Sequence, residues 1–377
     1  MKYQLRQILT FSVSILLIGA MIAACAPAAT PAPTAVPPTA VPPTAVPPTA
    51  VPPTAAPAAT AAATAAPAVS GTGVKFAMII PGPISDADYN MLGYQATQAI
   101  SNTLGIPAEY SENVAVADAE SVARQYIARG FNVIGFHGGQ FVAAVEDLAP
   151  ANPNVVFIAE SGGPDAKLAA LPNVWSIGRR VFMAQYAYGV LAARLTKTKK
   201  VAFLGGQKFA NFVSSINTID QAIAATDPSV KLIYTFTGDQ NDAVKGRQGA
   251  EALMNQGADF ILINLNGGGF GAIDGIKAST TPVLFAALYT DKSTLAPANF
   301  TSAPIYDFNG VFSYIIQQIQ AGTKAGYYDM KPGNGIKLSP FYNVPDAVQQ
   351  EVTDAWNKVG SGAIPLTEDT SDIKIRQ

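Results

Sequence analysis

From residue 74 onward, short apolar runs alternate with stretches whose apolar positions recur every three to four residues. The first run, VKFAMII at 74–80, is almost uniformly apolar and predicts a buried strand. The next stretch, 90–105, has one apolar face and ends at Gly105, which predicts an amphipathic helix. The same unit recurs to about residue 288. The pattern predicts an α/β fold with parallel strands, because each crossover helix returns the chain to the same edge of its sheet.

The predicted strands are 74–80, 108–113, 132–138, 155–161, 174–178, 200–206, 231–238, 260–267 and 282–288. The predicted helices are 90–105, 118–130, 140–153, 181–197, 210–228, 242–258 and 271–279. About 300 residues are too many for one such sheet, so we expect two lobes. Two open sheets that meet at the carboxyl ends of their strands form a ligand cleft there. A TIM barrel is the alternative, although eight regular repeats are not visible in the sequence.

The segment PGPISDADYN, residues 81–90, follows the first predicted strand and carries several polar side chains. Asp86 or Asp88 can cap the following helix. Tyr89 and Asn90 then lie at the helix N-terminus, facing the cleft. An aromatic ring beside an amide suits a planar heterocycle, because the ring offers a stacking face and the amide can hydrogen-bond to the ligand's edge. Packing in the core is the alternative role for Tyr89.

The one histidine of the chain, His137, ends the third predicted strand in GFHGGQF. Zinc sites usually draw on several His or Cys ligands. A Ser–His–Asp triad is not supported either, because the sequence lacks a G-x-S-x-G turn. We therefore predict no metal, no cofactor and no catalytic residues, and His137 is either a ligand donor or a packed loop residue.

A glycine cluster, GGGFG at 267–271, lies between a predicted strand and a predicted helix, where phosphate-binding loops occur. Its spacing is neither G-x-G-x-x-G nor G-x-x-x-x-G-K. We favour a tight turn in which glycine lets the backbone approach a ligand, and a nucleotide phosphate site is the alternative.

The first 25 residues have the layout of a secretory signal. Lys2 and Arg6 precede an apolar run at 8–24, and the only cysteine, Cys25, follows it. The segment IAAC resembles the bacterial lipobox, whose cysteine is lipidated and becomes the new N-terminus, so we predict lipidation at Cys25. An uncleaved anchor is the alternative, because the run of 17 residues is close to the length of a membrane span.

Residues 26–73 are predicted to form a Pro/Thr/Ala-rich disordered linker. The pentapeptide VPPTA occurs four times between Val36 and Ala55, and no charged residue occurs between Arg6 and Lys75. Consecutive prolines prevent helix and sheet, so an extended polyproline II spacer is expected. The composition does not settle whether its threonines are glycosylated.

The basic and acidic side chains of the chain are nearly balanced in number. Without Lys2 and Arg6, the chain has 22 basic and 26 acidic side chains. A nucleic-acid-binding domain would need a basic face, so no nucleic acid partner is predicted. No second apolar stretch of membrane-spanning length follows the signal.

Several segments, in order and spacing, resemble the basic membrane lipoprotein (BMP, PnrA-like) family of substrate-binding proteins of ABC transporters. The similarity covers almost all of residues 75–360. The segments that carry it are GPISDADYN, GFHGGQFVAAVEDLAPANPNVVF, KVAFLGG, AEALMNQGAD, DKSTLAPANFTS and GNGIKLSPFYNVPDAV. Each segment alone is a weak signal, and their order makes the resemblance specific.

The resemblance implies a type I periplasmic-binding-protein fold, with two doubly wound parallel-sheet lobes joined by three crossing segments. It suggests an N-terminal lobe of residues 74–178 plus 288–332. A C-terminal lobe of residues 179–287 plus 333–377 would complete the cleft. The family binds ligands such as purine nucleosides or adenine between aromatic rings and Asp, Asn and Gln side chains.

Carried over position by position, the resemblance assigns four ligand-binding loops to this chain. The implied residues are Asp86, Tyr89 and Asn90; His137, Gln140 and Phe141; Gln240 and Asp242; and Asn264 and Asn266.

The sequence also departs from the family pattern. Tyr289 replaces an aspartate that grips the ribose in nucleoside-binding relatives, and the lysine that follows their T-S is absent from TSAPIYD. Gln240 stands where an aromatic ring is expected. We therefore keep Tyr289 as a ligand-contacting residue, and we expect a free base, or another ring without ribose, to bind better than its nucleoside.

Together, these observations predict a lipid-anchored, extracytoplasmic protein at the cell membrane that is not an enzyme. It would bind a nucleobase-like or nucleoside-like heterocycle as a monomer and deliver it to an ABC permease. A lipoprotein that senses the ligand for a membrane receptor, or that binds an unrelated metabolite on the same fold, is the alternative. A nucleoside hydrolase would need paired carboxylates or a metal cluster, which the sequence does not clearly show.

Replacing the thiol tests the anchor. We expect Cys25→Ser to leave the signal uncleaved or to release the protein from membranes, because the only cysteine is the predicted lipid attachment point. Membrane fractionation with mass spectrometry of the N-terminus measures both. A Cys25→Ser protein that still fractionates as processed lipoprotein would contradict the prediction. Deleting the VPPTA repeats is the control, and should leave the melting temperature of the folded domain unchanged.

Overall fold

The computed structural model describes residues 73–376. Cys25, the predicted signal and nearly all of the predicted linker lie outside these residues. The strands are β1 (Phe76–Ile79), β2 (Ala108–Ser111), β3 (Val133–Phe136), β4 (Val156–Ser161), β5 (Val174–Arg179), β6 (Lys200–Gly205), β7 (Lys231–Phe236), β8 (Phe260–Asn264), β9 (Leu284–Ala286), β10 (Pro304–Tyr306), β11 (Gly326–Pro332) and β12 (Gly335–Leu338).

The helices are α1 (Tyr89–Leu104), α2 (Ala119–Ala128), α3 (Val142–Ala151), α4 (Ala166–Ala169), α5 (Val181–Leu195), α6 (Ala210–Thr226), α7 (Ala243–Asn255), α8 (Gly268–Lys277), α9 (Phe308–Gln320) and α10 (Asp346–Ser361). Short 3-10 turns occupy Ile84–Asp86, Val116–Asp118 and Gly139–Phe141. The sequence-based elements therefore reappear in their predicted order, with bounds that are mostly shorter by a few residues at each end.

Two sheets organise these elements. The first has the strand order β10-β12-β11-β5-β4-β3-β1-β2, and the second has the order β7-β6-β8-β9. Pairing is parallel throughout the second sheet and in most of the first, where β10 pairs antiparallel with β12. These are two open sheets, so the fold is the predicted pair of parallel-sheet lobes and not a TIM barrel.

The central strands are buried on both faces, because helices cover both sides of each sheet. All four residues of β1 and of β3 are buried. One apolar cluster runs without interruption from Phe76 of the first sheet through α5 to Phe203 of the second. Two further clusters fill the outer faces, beneath α2 and α3 in the first lobe and beneath α7 and α8 in the second.

The chain passes between the two sheets through residues 180–199 and 287–303, and residues 339–345 lead from β12 into α10, which packs against α5 and β11. Strand β12 pairs with β10 and β11 in the first sheet. The proposed lobe boundary between residues 332 and 333 thus falls inside that sheet. After α10, residues 362–376 run along α6, where Asn217 donates to the Asp372 carbonyl at 2.7 Å and Arg376 pairs with Asp220 at 3.1 Å.

The glycine cluster at 267–271 opens helix α8. An added Cβ on Gly271 would overlap the carbonyl oxygen of Ala243, and one on Gly246 would overlap that of Gly268. These glycines let α7 and α8 pack backbone against backbone. At Gly271 the close approach that the sequence suggested is therefore to a neighbouring helix.

Alanine substitutions in α8 test this packing. We expect Gly271→Ala to lower the free energy of unfolding by about 1–3 kcal/mol, because α7 must move to make room. Gly269→Ala is the matched control, since a Cβ there lies 3.7 Å from its nearest neighbour, in ordinary contact. It should be neutral or stabilising by up to about 1 kcal/mol, the helix preference of alanine over glycine. Equal effects in chemical denaturation would contradict the packing argument.

Candidate functional site

A cavity of about 650 Å³ lies between the carboxyl ends of the strands of the two sheets. The first sheet contributes the loops after β1, β3 and β4, together with Arg179 at the end of β5. The second contributes the loops after β6, β7 and β8, and the C-terminal segment adds Glu368 and Thr370. This is the position at which open α/β sheets bind their ligands.

Six of the residues proposed from the sequence line this cavity: Tyr89, Asn90, Gln140, Gln240, Asn266 and Tyr289. Five others do not: Asp86, His137, Phe141, Asp242 and Asn264.

Asp86 is committed to the first turn of α1. Its carboxylate accepts hydrogen bonds from the backbone amides of Asp88, Asn90 and Met91 at 2.9–3.0 Å and from the Asn90 side chain at 2.7 Å. Asn90 also accepts from the amide of Gly82 at 3.1 Å. Asp86 therefore caps the helix and fixes Asn90, whose amide keeps one N–H for a ligand.

Asp88 forms a buried ion pair instead of a cap. Its carboxylate lies 3.1 Å from Nζ of Lys292 and accepts a hydrogen bond from Thr290 at 3.1 Å. Burial raises the pKa of Asp88 to about 7, although the charge of Lys292 opposes that rise. This pair ties the start of α1 to the crossing segment that carries Tyr289. Lys292 itself does not line the cavity.

His137 lies behind Tyr89 and is fully buried. Its ring stacks on the Tyr89 ring with 3.9 Å between centroids. Nδ1 lies 2.6 Å from Glu160 Oε1, and Nε2 lies 2.8 Å from the Tyr89 carbonyl. Of the two roles left open by the sequence, the structure places His137 as a packed residue that supports the cavity wall.

Glu160, on β4, contacts three other side chains on this side of the cavity. We call Tyr89, His137, Glu160 and Arg179 together the charged wall. It accepts from the Tyr89 hydroxyl at 2.7 Å, lies against Nδ1 of His137, and is 3.4 Å from Nε of Arg179. Burial alone would raise the pKa of Glu160, but the charges of His137 and Arg179 and its hydrogen bonds lower it. Both ring nitrogens of His137 therefore face an oxygen, Nδ1 that of the Glu160 carboxylate and Nε2 that of the Tyr89 carbonyl.

Arg179 is the cation of this wall that reaches the cavity. Its guanidinium lies 4.7 Å above the Tyr89 ring, and Nη1 donates to the Tyr289 hydroxyl at 3.3 Å. Nε is buried and has no hydrogen-bond partner among residues 73–376. Burial would lower the pKa of Arg179, but Tyr89, Tyr289 and Glu160 raise it, so the group stays charged.

Tyr289 is held in an unusual backbone conformation. Its φ of 72° lies in the left-handed region, which a bulky residue rarely adopts. The ring packs against Tyr89 at 5.2 Å and Tyr306 at 5.1 Å between centroids. Backbone strain of this kind is typical of binding sites, where the surrounding structure imposes it. The phenol consequently fills space at the edge of the cavity.

The second lobe lines the opposite side of the cavity with side chains that make fewer hydrogen bonds to the protein. Phe209, just before α6, is 39% exposed and lines the cavity. Both amide atoms of Gln240 are buried without a hydrogen-bond partner in the part of the chain that the structure describes. Gln207, Asn211 and Asn266 also line this side. The lobe thus offers one exposed ring and several amides.

The remaining proposed residues are occupied elsewhere. Asp242 caps α7 through the amide of Lys245 at 3.0 Å, and Phe141 is buried against Phe136. Asn264 is buried and accepts a hydrogen bond from the side-chain amide of Gln185 at 3.0 Å.

Sequence reasoning missed the charged wall and the exposed ring. Arg179 and Glu160 each lie at the carboxyl end of an apolar strand, in VWSIGR and VFIAES. A charge at that position is the signal that could have identified them. Phe209 follows β6 in the loop GQKF, but its sequence does not distinguish it from a core ring. Among residues 73–376, no group of His, Cys, Asp and Glu could hold a metal ion, and no helix is long and apolar enough to cross a membrane.

Comparisons with known proteins identify related sequences. Residues 73–370 match the family model of PnrA-like ABC transporter substrate-binding proteins. A purine-binding protein of Brucella abortus (strain 2308) is 24% identical over 306 residues, 78% of this chain and 83% of that protein. Basic membrane protein A2 of Borrelia garinii subsp. bavariensis is 24% identical over 298 residues, 76% of this chain and 86% of that protein.

The fold also resembles a solved structure. An ABC transporter solute-binding protein from Conexibacter woesei DSM 14684 superposes with a TM-score of 0.62 and 24% identity, covering 78% of this chain and 99% of that one. This likeness confirms the fold class expected from the sequence.

Acid titration of a Glu160 variant tests the charged wall. Because the folded-state pKa of Glu160 is below its ordinary value of 4.5, its pairing stabilises the fold above that pH. The stabilisation is lost as pH falls through the lowered value. We expect Glu160→Gln to be destabilised by about 3 kcal/mol at pH 7, the cost of breaking a buried ion pair.

The variant should also lose less stability than wild type from about pH 5 to about pH 3. Thermal unfolding across that range measures both effects. Glu120→Gln is the control, because Glu120 forms an exposed pair with Arg124 within one helix. A wild-type acid slope that persists in Glu160→Gln would contradict the assignment.

Proposed function

The chain belongs to the PnrA-like family of ABC transporter substrate-binding proteins, and from that premise we propose that its cleft binds a small planar heterocycle. The family and fold are those of binding proteins and not of enzymes. A small-molecule ligand and an ABC permease are the partners that the family implies. The purine-binding relative from Brucella favours a nucleobase-like ring over other small metabolites.

One observation carries this proposal: unused hydrogen-bonding groups from both lobes line one cavity beside an exposed ring. Both amide atoms of Gln240 and Nε of Arg179 are buried without a hydrogen bond among the described residues, although Nε lies 3.4 Å from the Glu160 carboxylate. Leaving a buried polar group unpaired costs about 1–3 kcal/mol, so these groups favour a ligand that pairs with them. Phe209 supplies a face on which a planar ring can stack.

In this proposal Phe209, and not Tyr89, stacks on the ligand. The Tyr89 ring already contacts His137 and Arg179, and the residue is only 6% exposed. Phe209 comes from the opposite lobe and restores the stacking face that Gln240 does not provide. Closure of the two lobes would bring Phe209 onto a ligand resting on the Arg179 side.

A free base fits this cavity better than its nucleoside. Tyr289 occupies the place of a ribose-binding aspartate, and its hydroxyl already accepts from Arg179. A carboxylate could accept from both ribose hydroxyls, whereas a phenol offers one weaker contact and fills more space. We therefore place a nucleobase-like ring, and not a nucleoside, as the preferred ligand.

The predicted lipidation of Cys25 would anchor the domain outside the cytoplasmic membrane, next to its permease. The protein would act there as a monomer. Sensing for a membrane receptor is the second candidate, because it needs the same cleft and the same closure. A permease and an ATPase encoded next to this gene would favour transport over sensing.

Titration calorimetry tests the proposal. We expect at least one free base to bind more tightly than its nucleoside. Phe209→Ala should weaken that binding by about 1–3 kcal/mol, the usual contribution of one stacked aromatic ring. Tyr234→Ala is the matched control, because Tyr234 is a similarly exposed ring, at 40%, in the same lobe but outside the cavity. Binding of sugars or amino acids alone, or equal affinities in Phe209→Ala and wild type, would contradict the heterocycle assignment.

A further inference from the structure

The guanidinium of Arg179 has more donors than the protein uses. Arginine carries five N–H groups and cannot accept a hydrogen bond. The structure gives Arg179 one hydrogen bond, from Nη1 to the Tyr289 hydroxyl at 3.3 Å. The other four N–H groups have no acceptor with hydrogen-bond geometry among residues 73–376, although only 11% of the side chain is exposed.

The carboxylates that line the same cavity are partly engaged by the protein. Asp165 accepts from the amides of Lys167 and Leu168 through Oδ1, and Asp239 accepts from those of Asn241 and Asp242 through Oδ1. Glu368 lies near Arg180, whose charge opposes the rise that burial causes in the pKa of this carboxyl. The cationic group that lines the cavity with unused donors is the guanidinium of Arg179.

Its position is also fixed. Glu160 Oε2 holds Nε from one side at 3.4 Å, the Tyr289 hydroxyl engages Nη1, and the Tyr89 ring lies beneath the plane at 4.7 Å. A guanidinium fixed in this way presents a rigid fork of donors, which matches two adjacent acceptors on a planar partner.

We infer that Arg179 selects ligands whose ring edge presents acceptors over ligands whose edge presents an amino group. A keto oxygen beside an unprotonated ring nitrogen, or a ring carboxylate, accepts from both arms of the fork. Arginine pairs in this manner with O6 and N7 of a 6-oxopurine, whereas adenine presents its N6 amino donor beside N7. The inference deepens the proposed heterocycle binding and rests on it.

The amides of the opposite lobe do not impose this choice. Gln240 and Asn266 each carry both a donor and an acceptor and can turn to suit either ring edge. Arginine has no such freedom, because it only donates. Of Arg179, Gln240 and Asn266, only Arg179 therefore discriminates between keto and amino rings, while the amides contribute affinity to both kinds of ring.

Calorimetry with purified full-length protein compares the affinities for keto, carboxylate and amino rings. The probes are hypoxanthine, which is a 6-oxopurine, orotate, which is a ring carboxylate, and adenine. We expect hypoxanthine, orotate or both to bind about tenfold or more tightly than adenine, since hydrogen bonds to a charged group are worth that factor. The two acceptor rings show whether the fork receives a neutral keto edge or an anionic group.

Substitutions assign the preference to Arg179. Arg179→Met should lower the affinity for the preferred ring about ten- to hundredfold and change that for adenine little. If the loss of the cation beside Glu160 prevents Arg179→Met from folding, Arg179→Lys keeps the charge without the fork and should still reduce the preference. Arg129→Gln is the control, because this arginine of the same lobe pairs with Glu109 at 2.6 Å away from the cavity.

The ratio of affinities is the deciding quantity, because a purely structural role of Arg179 would weaken all rings equally. An adenine affinity equal to or above that of the acceptor rings, with the same ratio in Arg179→Lys, would overturn the inference and leave heterocycle binding intact. Binding of none of the three rings, with binding of a sugar or an amino acid, would overturn the proposed function as well.

Discussion

The binding wall of this protein depends on one buried carboxylate. Glu160 ends β4, and its partners Tyr89, His137 and Arg179 come from α1, the end of β3 and β5. These elements follow the order of the sheet, in which β5, β4, β3 and β1 are neighbours. An unpaired buried charge would cost several kcal/mol, so the carboxylate requires all of these partners in place. The carboxyl ends of four strands are thereby held in one arrangement.

This arrangement leaves a positive charge at the cavity. Glu160 faces both His137 and the cation Arg179, and of these two only Arg179 lines the ligand cavity. The first lobe is therefore rigid and donor-rich, with Tyr289 held in a strained conformation beside it. The second lobe presents Phe209 and several side-chain amides. In the proposed complex, the first lobe selects the edge of the ring and the second lobe covers its face.

Much of the fold follows from the sequence, because its signals are local. Uniformly apolar runs gave β1, β3 and β8, and glycine stops such as Gly105 ended helices where the structure ends them. The antiparallel pair of β10 with β12 was not foreseen, since it joins segments 30 residues apart and depends on sheet-edge geometry. Resemblance to a known family supplied the two-lobed arrangement, which periodicity alone left open between two lobes and a barrel.

The site was predicted less completely, because ligand contact depends on which way side chains face. Tyr89 and Asn90 were placed at the cavity through their position after a strand, and Gln240 through the family resemblance. His137 followed the same rule but points inward, where Glu160 and the Tyr89 carbonyl bind both of its nitrogens. Arg179 was missed because it ends a strand that reads as core. A charged residue at the end of an apolar strand is most informative when its ion-pair partner is also known. The partner of Arg179 is Glu160, which lies 19 residues earlier in the chain.

The central claim is that a donor-rich wall and an exposed ring select a planar heterocycle. Mass spectrometry of small molecules released on denaturing the purified protein tests this claim most directly, because it assumes no ligand in advance. We expect release of a flat ring with a keto or carboxylate edge and without ribose. Release of a sugar, an amino acid or an intact nucleoside as the sole ligand would contradict it.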